Sequence, residues 1–285
     1  MMAATVFPTG IKPEETSSGA PKPDAGSPRN PAVLPCVSLS NVSLTFEGRR
    51  QKVHAISDVS IDIAEGEFVA LLGPTGCGKS SLLRLVSDLL PPSGGTIAVR
   101  GLPPGEARRA NDFGFVFQEP ALLPWRTALE NIRLPLEVVE FGSAERLRRC
   151  RELLALVGLE KFESAYPHQL SGGMKQRVAI MRALAWDPPI LLMDEPFSAL
   201  DELTKAQLQD DLLGIWSQGR KTALFVTHSI SEAVYLADRV IVMSPHPGRI
   251  KTILNVDLPR PRNEDIREST EFLAYVRQAR EALRA

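Results

Sequence analysis

The chain has no apolar run approaching the roughly 18 residues that a membrane-spanning helix needs. It also lacks an excess of either charge: 33 Lys and Arg against 34 Asp and Glu leave no global basic field to draw in nucleic acid. Only three cysteines occur, Cys36, Cys77 and Cys150, with no CxxC pair and no metal-ligand spacing. That argues against a disulfide framework and a zinc site, and fits a reducing compartment. Residues 1–20 lack the basic-then-apolar layout of a signal peptide, and no internal repeat is present. What is there, 44% hydrophobic and 24% charged residues, is the composition of a globular protein with a sizeable core. If such a chain works at a membrane, partner subunits must do the crossing.

Up to about residue 35 the chain is rich in Pro, Ser, Gly and Ala and nearly devoid of bulky apolar residues. Such a segment buries too little surface to offset its chain entropy, so residues 1–35 are expected to form a disordered leader. Val37, Leu39, Val42, Leu44 and Phe46 then suggest strand, as do residues 53–63 and the apolar run 67–72 ending at Gly73. Residues 80–90 read as a helix stopped by Pro91 and Pro92. Further strands are expected at 96–100 and 113–117. Between Glu119 and Trp186 the character turns helical. Ser143 is the expected N-cap of an amphipathic helix carrying Leu147, Cys150, Leu153, Leu154 and Val157, which Gly158 ends. Beyond Trp186, strands at 190–193, 223–226 and 240–243 alternate with helices at 202–217 and 230–237. Buried apolar strands alternating with helices predict an α/β fold, a mostly parallel sheet with a helical insertion. The tail, 259–285, predicts one short helix.

Gly73-Pro74-Thr75-Gly76-Cys77-Gly78-Lys79-Ser80 matches the P-loop pattern, with a strand before it and a helix after. Its glycines let successive backbone N–H groups turn inward and cradle phosphate oxygens at a helix N-terminus. Lys79 would reach the β- and γ-phosphates, and the Ser80 hydroxyl would bind Mg²⁺. Cys77 lies near a helix start and close to Lys79, two features that favour a thiolate; a thiol packed into the core is the alternative. Ile190-Leu191-Leu192-Met193-Asp194-Glu195 is an apolar strand ending in two acids, which suits a ligand at the carboxyl edge of a sheet. Asp194 would support the Mg²⁺, and Glu195 could orient or deprotonate an attacking water. Together these motifs indicate an ATPase or GTPase.

Leu170-Ser171-Gly172-Gly173-Met174-Lys175-Gln176-Arg177 narrows the class. A Ser hydroxyl and glycine amides at the start of a helix, 172–185, make a second anion site. Here the chain resembles the ABC (ATP-binding cassette) ATPases, whose signature is an LSGGQ-like stretch. The resemblance covers residues from about 37 to 258. It implies a P-loop NTPase (RecA-like) core with an antiparallel β subdomain, an ATPase domain over 36–258 and a helical subdomain at about 119–186. Gln118, in Phe115-Val116-Phe117-Gln118, matches the glutamine that joins core to helical subdomain; Ser198-Ala199-Leu200-Asp201 looks like the D-loop; His228 looks like the switch histidine. Phe46 takes the approximate place of the aromatic that stacks on adenine. The implied catalytic set is Glu195, His228, Lys79 and Gln118, and the implied metal ligands are Ser80, Gln118 and Asp194. Nucleotide would be held by Phe46, by Gly73, Pro74, Thr75, Gly76, Cys77, Gly78, Lys79, Ser80 and Ser81, and by Gln118, Ser171, Gly172, Gly173 and Asp201. ATP and Mg²⁺ are the implied cofactors.

Three positions depart from the family pattern: Met174 replaces the usual Gln, Phe46 the usual Tyr, and Ser81 a common Thr. Asp112-Phe113-Gly114 spells a kinase triplet, but no kinase catalytic loop accompanies it; it reads as the start of the strand leading to Gln118.

In this family the signature of one subunit closes over the ATP held by the P-loop of another, so the resemblance implies a homodimer. Exporters usually carry their membrane spans in the same chain, which points this one to a stand-alone importer subunit docked on separate integral-membrane permeases. That implies a peripheral place on the cytoplasmic face of the membrane, with an extracytoplasmic substrate-binding protein in the same system and no nucleic acid. An exporter half and a soluble non-transport ABC ATPase remain the alternatives. Leu122-Leu123-Pro124-Trp125-Arg126 lies where the family meets a permease; core of the helical subdomain is the other reading of Trp125. Ser244-Pro245-His246-Pro247-Gly248-Arg249-Ile250, with Asp257-Leu258-Pro259-Arg260-Pro261-Arg262, resembles the nitrate/sulfonate/taurine importers and implies a small anion as cargo.

Overall fold

A computed structural model describes residues 34–48, 52–139, 142–219 and 221–284. The leader expected at 1–35 lies outside them, apart from Leu34 and Pro35. The alternating apolar residues after Cys36 form β1 (Val37–Glu47), followed by β2 (Lys52–Ile63). The wholly buried β3 (Phe68–Leu72) leads through the glycine-rich loop into α1 (Lys79–Val86). Next come β4 (Gly94–Val99), α2 (Pro104–Arg109) and β5 (Phe113–Val116). Three helices, α3 (Ala128–Val138), α4 (Ser143–Leu156) and α5 (Gly172–Leu184), precede β6 (Ile190–Asp194). The chain finishes with α6 (Glu202–Gly219), β7 (Thr222–Thr227), α7 (Ile230–Leu236), β8 (Arg239–Met243), β9 (Ile250–Asn255) and α8 (Thr270–Arg284).

The strands make two sheets. β2, β1 and β4 pair antiparallel in that order, while β5-β6-β7-β3-β8 run parallel and β9 closes the edge antiparallel to β8. Every residue of β3, β6 and β7 is buried, as expected of parallel strands covered on both faces. Their side chains alternate between two cores: Val69, Leu71, Leu192 and Val226 pack with α1 and the antiparallel sheet, whereas Phe68, Ala70, Met193 and Phe225 pack with the other helices. Because β5, β6, β7 and β3 are parallel neighbours, the residues that follow all four emerge at one edge. That edge carries the site.

Several local expectations need correction. α1 stops at Val86, short of the predicted 90, because the chain turns back at Asp88 (φ +59°) and the Leu89 N–H reaches Arg84 O at 2.8 Å. Ser143 is not the N-cap of α4. Gly142 holds that extended position (φ −60°, ψ 144°) and its carbonyl accepts from Arg146 N at 2.9 Å, so Ser143 is the first helical residue. Gly158 does end α4: at φ +66°, its N–H bonds Ala155 O while Leu159 N bonds Leu154 O. β9 and α2 were not foreseen. The tail is packed on the core rather than appended to it. α8 buries Phe272 and Ala279, and the buried Arg262 guanidinium donates to Val234 O, Tyr235 O and Ala237 O around the end of α7 and to Val256 O and Leu258 O. Burial lowers the pKa of that arginine to about 10, and five carbonyls replace its lost water.

Candidate functional site

The loop after β3 is a backbone cradle. Gly76 (φ +81°) and Gly78 (φ +99°) occupy the left-handed region, and a Cβ on Gly78 would come within 2.9 Å of Ala55 O. The loop is thereby pressed onto β2. No side chain caps α1, so its first-turn amides point into the loop as an anion site. Lys79 is buried, its Nζ donating to Gly73 O (2.8 Å) and Pro74 O (3.0 Å). The ammonium is therefore held over the loop that a polyphosphate would fill.

At the adjacent strand end, Ser80 Oγ donates to Asp194 Oδ1 at 2.7 Å. Burial raises the Asp194 pKa, opposed by that hydrogen bond from Ser80. Glu195 follows at φ +44°, an uncommon conformation for a non-glycine, pinned by its N–H to Val226 O at 3.0 Å. The neighbouring strand β7 delivers His228, whose Nδ1 lies 2.9 Å from Glu195 Oε2. Gln118 follows β5. Lys79, Ser80, Gln118, Glu195 and His228 share one cavity of about 530 Å³ with Thr75, Gly76, Gly78, Ser81 and His246, and β1 and β2 add an apolar wall of Phe46, Val53 and Ala55. The buried Asp194 does not line it and meets it through Ser80. The arrangement can seat a flat base on the wall and a polyphosphate in the cradle. A hydroxyl–carboxylate pair stands ready for a hard cation, and a glutamate–histidine pair for proton transfer from water.

Not every residue named from the sequence comes to this cavity. Of the two readings of Cys77, the side chain packed into the core is the one found: it is 1% exposed and does not line the cavity, with Lys79 Nζ 3.8 Å from its sulfur. Gly73 and Pro74 meet Lys79 through their carbonyls, from behind the cavity. Ser171, Gly172, Gly173 and Asp201 also lie away from it. Ser171 caps α5, its Oγ accepting from Met174 N at 3.3 Å. Asp201 caps α6, accepting from Thr204 N at 3.0 Å; that backbone bond holds its pKa down. Asp112 is a structural residue, its carboxylate 3.1 Å from Arg100 Nη1 and its carbonyl accepting from Ile190 N as β5 starts. Sequence reasoning missed Val53, Ala55 and His246 as cavity residues; alternation in β2 could have flagged the first two.

The two readings of Trp125 are now separable. It is 70% exposed, so it is not core. The fully buried Asn131 clamps the turn beneath it, accepting from Leu123 N (2.8 Å) and donating to the carbonyls of Leu123, Arg126 and Thr127. Beside it runs an apolar groove of about 390 Å³ that includes Phe115, Phe117, Leu123 and Trp186.

The family described as ABC transporter matches residues 56–198. An uncharacterized ABC transporter ATP-binding protein of Methanocaldococcus jannaschii is 47% identical over 242 residues, covering 84% of this chain and 88% of that protein. A taurine import ATP-binding protein of Rhizobium johnstonii is 46% identical over 225 residues, 79% of this chain and 85% of its own. A dimeric, post-hydrolysis ATP-binding cassette solved with ADP and Pi superposes with a TM-score of 0.71 at 36% identity, covering 78% of this chain and 100% of that one.

Proposed function

The chain belongs to the ABC transporter family of ATP-binding proteins, and from that premise we propose that it is the ATP-hydrolysing motor of an importer for a small anion such as nitrate, a sulfonate or taurine. The observation that carries the reading is the meeting of Lys79, Ser80, Asp194, Glu195 and His228 at one sheet edge, beside a wall that includes Phe46. In this reading adenine packs on Phe46, and the phosphates lie in the cradle with Lys79 turned from loop carbonyls toward the β- and γ-oxygens. The Ser80 hydroxyl and the Asp194 carboxylate, 2.7 Å apart, are the hard oxygen donors that suit Mg²⁺, with Gln118 as a third. When bound, the ion neutralises charge developing on the transferring phosphate. Glu195 accepts a proton from the attacking water, held in place by His228; the products are ADP and phosphate.

Two copies complete the device. The start of α5 carries Ser171 and Gly172 on the surface, exposed to a second chain, and a two-fold arrangement of one interface makes two shared sites. Moving such a pair from nearly all open to nearly all closed takes about 5.5 kcal/mol of differential binding, divided between two nucleotides. The clamped, exposed Trp125 and the groove beside it receive a permease. Among the described residues no helix is long and apolar enough to cross a membrane. In this reading the ATPase domain, 36–258 with helical residues 119–186, sits peripherally on the cytoplasmic face, against its permease. A substrate-binding protein on the other side supplies cargo, and nucleic acid has no part.

The test is purification from native membranes, with partners identified by mass spectrometry. A multi-span permease and a binding protein that raises ATPase activity with taurine or a sulfonate is the expected result. A permease without a binding protein would make this an exporter half, and bound nucleic acid would make it a soluble ABC ATPase.

A further inference from the structure

The turn joining β8 to β9, residues 244–249, emerges at the same sheet edge as the P-loop, because β8 runs parallel to β3, and it reaches the nucleotide cavity. Ser244 closes it: the Ser244 N–H donates to Arg249 O at 2.9 Å, and Oγ accepts from Arg249 N at 3.0 Å. Gly248 stitches the turn to β2, donating to Ala55 O and accepting from Ser57 N, each at 3.0 Å. It also passes so close to the P-loop that a Cβ there would collide with the Cys77 carbonyl. The turn is therefore fixed against the wall of Phe46, Val53 and Ala55, in which Phe46 and Val53 are directly paired across β1 and β2. At its tip, His246 lines the same cavity.

The ring of His246 is unlike the other three. His54 meets Thr45, His168 stacks on Tyr166 and His228 meets Glu195. His246 is exposed and, among the described residues, makes no hydrogen bond, ion pair or ring contact. Phe46, Val53 and Ala55 offer a base nothing but apolar contact, and Phe46 has no hydroxyl. A purine seated there keeps polar edges that an imidazole, with one donor and one acceptor, can satisfy. The other polar side chains of the cavity come from the P-loop and the ends of β5, β6 and β7.

We propose that His246 is a nucleobase-recognising residue whose imidazole meets the polar edge of the adenine packed on Phe46. The assignment rests on the reading of this cavity as the ATP site. It gives His246 a share in base binding and none in hydrolysis.

Calorimetric binding of Mg-ATP, Mg-ADP and inorganic tripolyphosphate to the full chain and to His246→Ala tests it. ATP and ADP are expected to weaken about three- to tenfold, the range of one net hydrogen bond, while tripolyphosphate changes by less than about twofold. His246→Gln, which keeps a donor and an acceptor, recovers most of the affinity. Unchanged ATP affinity in His246→Ala would overturn the proposal. So would an equal loss for tripolyphosphate, since the substitution would then act through the P-loop. If the unsubstituted chain bound no nucleotide at all, the reading of the cavity would fall first and the assignment with it.

Discussion

The starts of α1 and α5 offer the same chemistry, backbone amides at a helix N-terminus, but are built in opposite ways. Before α1 the chain uses Gly78 in a left-handed conformation, places no side-chain cap and buries Lys79 against the loop. The loop is wedged between β2 and the 244–249 turn, and it opens onto a walled cavity. Before α5 the backbone at Ser171 is extended (φ −65°, ψ 166°), its hydroxyl accepts from Met174 N, and both Ser171 and Gly172 face outward. The first start is preorganised by the chain's own contacts. The second is open to solvent, and the proposed function gives it a binding role only when a second chain is brought to it.

The largest effect expected falls where the two starts would meet. Glu195→Gln keeps the shape of the carboxylate but cannot take a proton, so turnover drops by about 10²–10⁴ while ATP still binds. Gel filtration with ATP then shows a stalled pair; undiminished turnover would remove Glu195 from the mechanism. Next come two substitutions that separate the helix starts. Lys79→Ala withdraws the buried cation and lowers both nucleotide affinity and hydrolysis, the latter by about 10²-fold or more. Ser171→Arg, on an exposed residue, leaves binding to the single chain intact and blocks closure and hydrolysis. Loss of binding in both proteins alike would erase the distinction.

The same contrast explains what was legible in the sequence. The loop at 73–80 and the acids at 194 and 195 are contiguous, and each ends an apolar run, so the one-edge arrangement followed from the parallel order of those runs. The five parallel strands were readable because both faces of the central ones are buried, which forces uninterrupted apolar stretches. β9 was not, since its exposure alternates with partial burial and its pairing depends on a turn held by Ser244. The direction of the Cys77 thiol depends on the backbone angles of Gly76 and Gly78, which composition does not reveal. His246 lies outside every nucleotide motif, and the bonds from Gly248 to β2, with the closure of the turn by Ser244, hold it there. Likewise the exposure of Trp125 follows from the grip of Asn131, and the packing of the tail from Arg262.

A smaller effect sharpens the comparison at the walled site. Phe46 is 43% exposed, so replacing it should leave the fold intact and change base binding alone. Stacking of a base on an aromatic ring is worth about 1–3 kcal/mol, so Phe46→Ala weakens ATP by about 5- to 150-fold while Phe46→Tyr keeps the π-face and the affinity. Equilibrium binding of the three proteins checks this, and equal affinities would move the base off this wall.

The smallest effect concerns the thiols and bears on how firmly the α1 start is built. All three cysteines are buried. Burial raises the Cys36 pKa and pushes that of Cys150 up to about 11, so at pH 8 both are protonated thiols and poor nucleophiles. Cys77 lies under the P-loop with Lys79 Nζ at 3.8 Å, yet a Cβ on Gly73 would already touch its sulfur at 2.8 Å, which leaves an alkylating reagent no room beside it. In native buffer a thiol reagent therefore titrates close to none of the three, and all three react only after denaturation. MgATP makes little difference to the native rate, because the sulfur does not line the cavity that nucleotide occupies. Cys77→Ala retains ATPase activity, since the loop works through its backbone. A thiol that reacts rapidly in the native chain, is shielded by MgATP and disappears in Cys77→Ala would show that the loop opens readily, and the rigid start assigned to α1 would be as unfinished as that of α5.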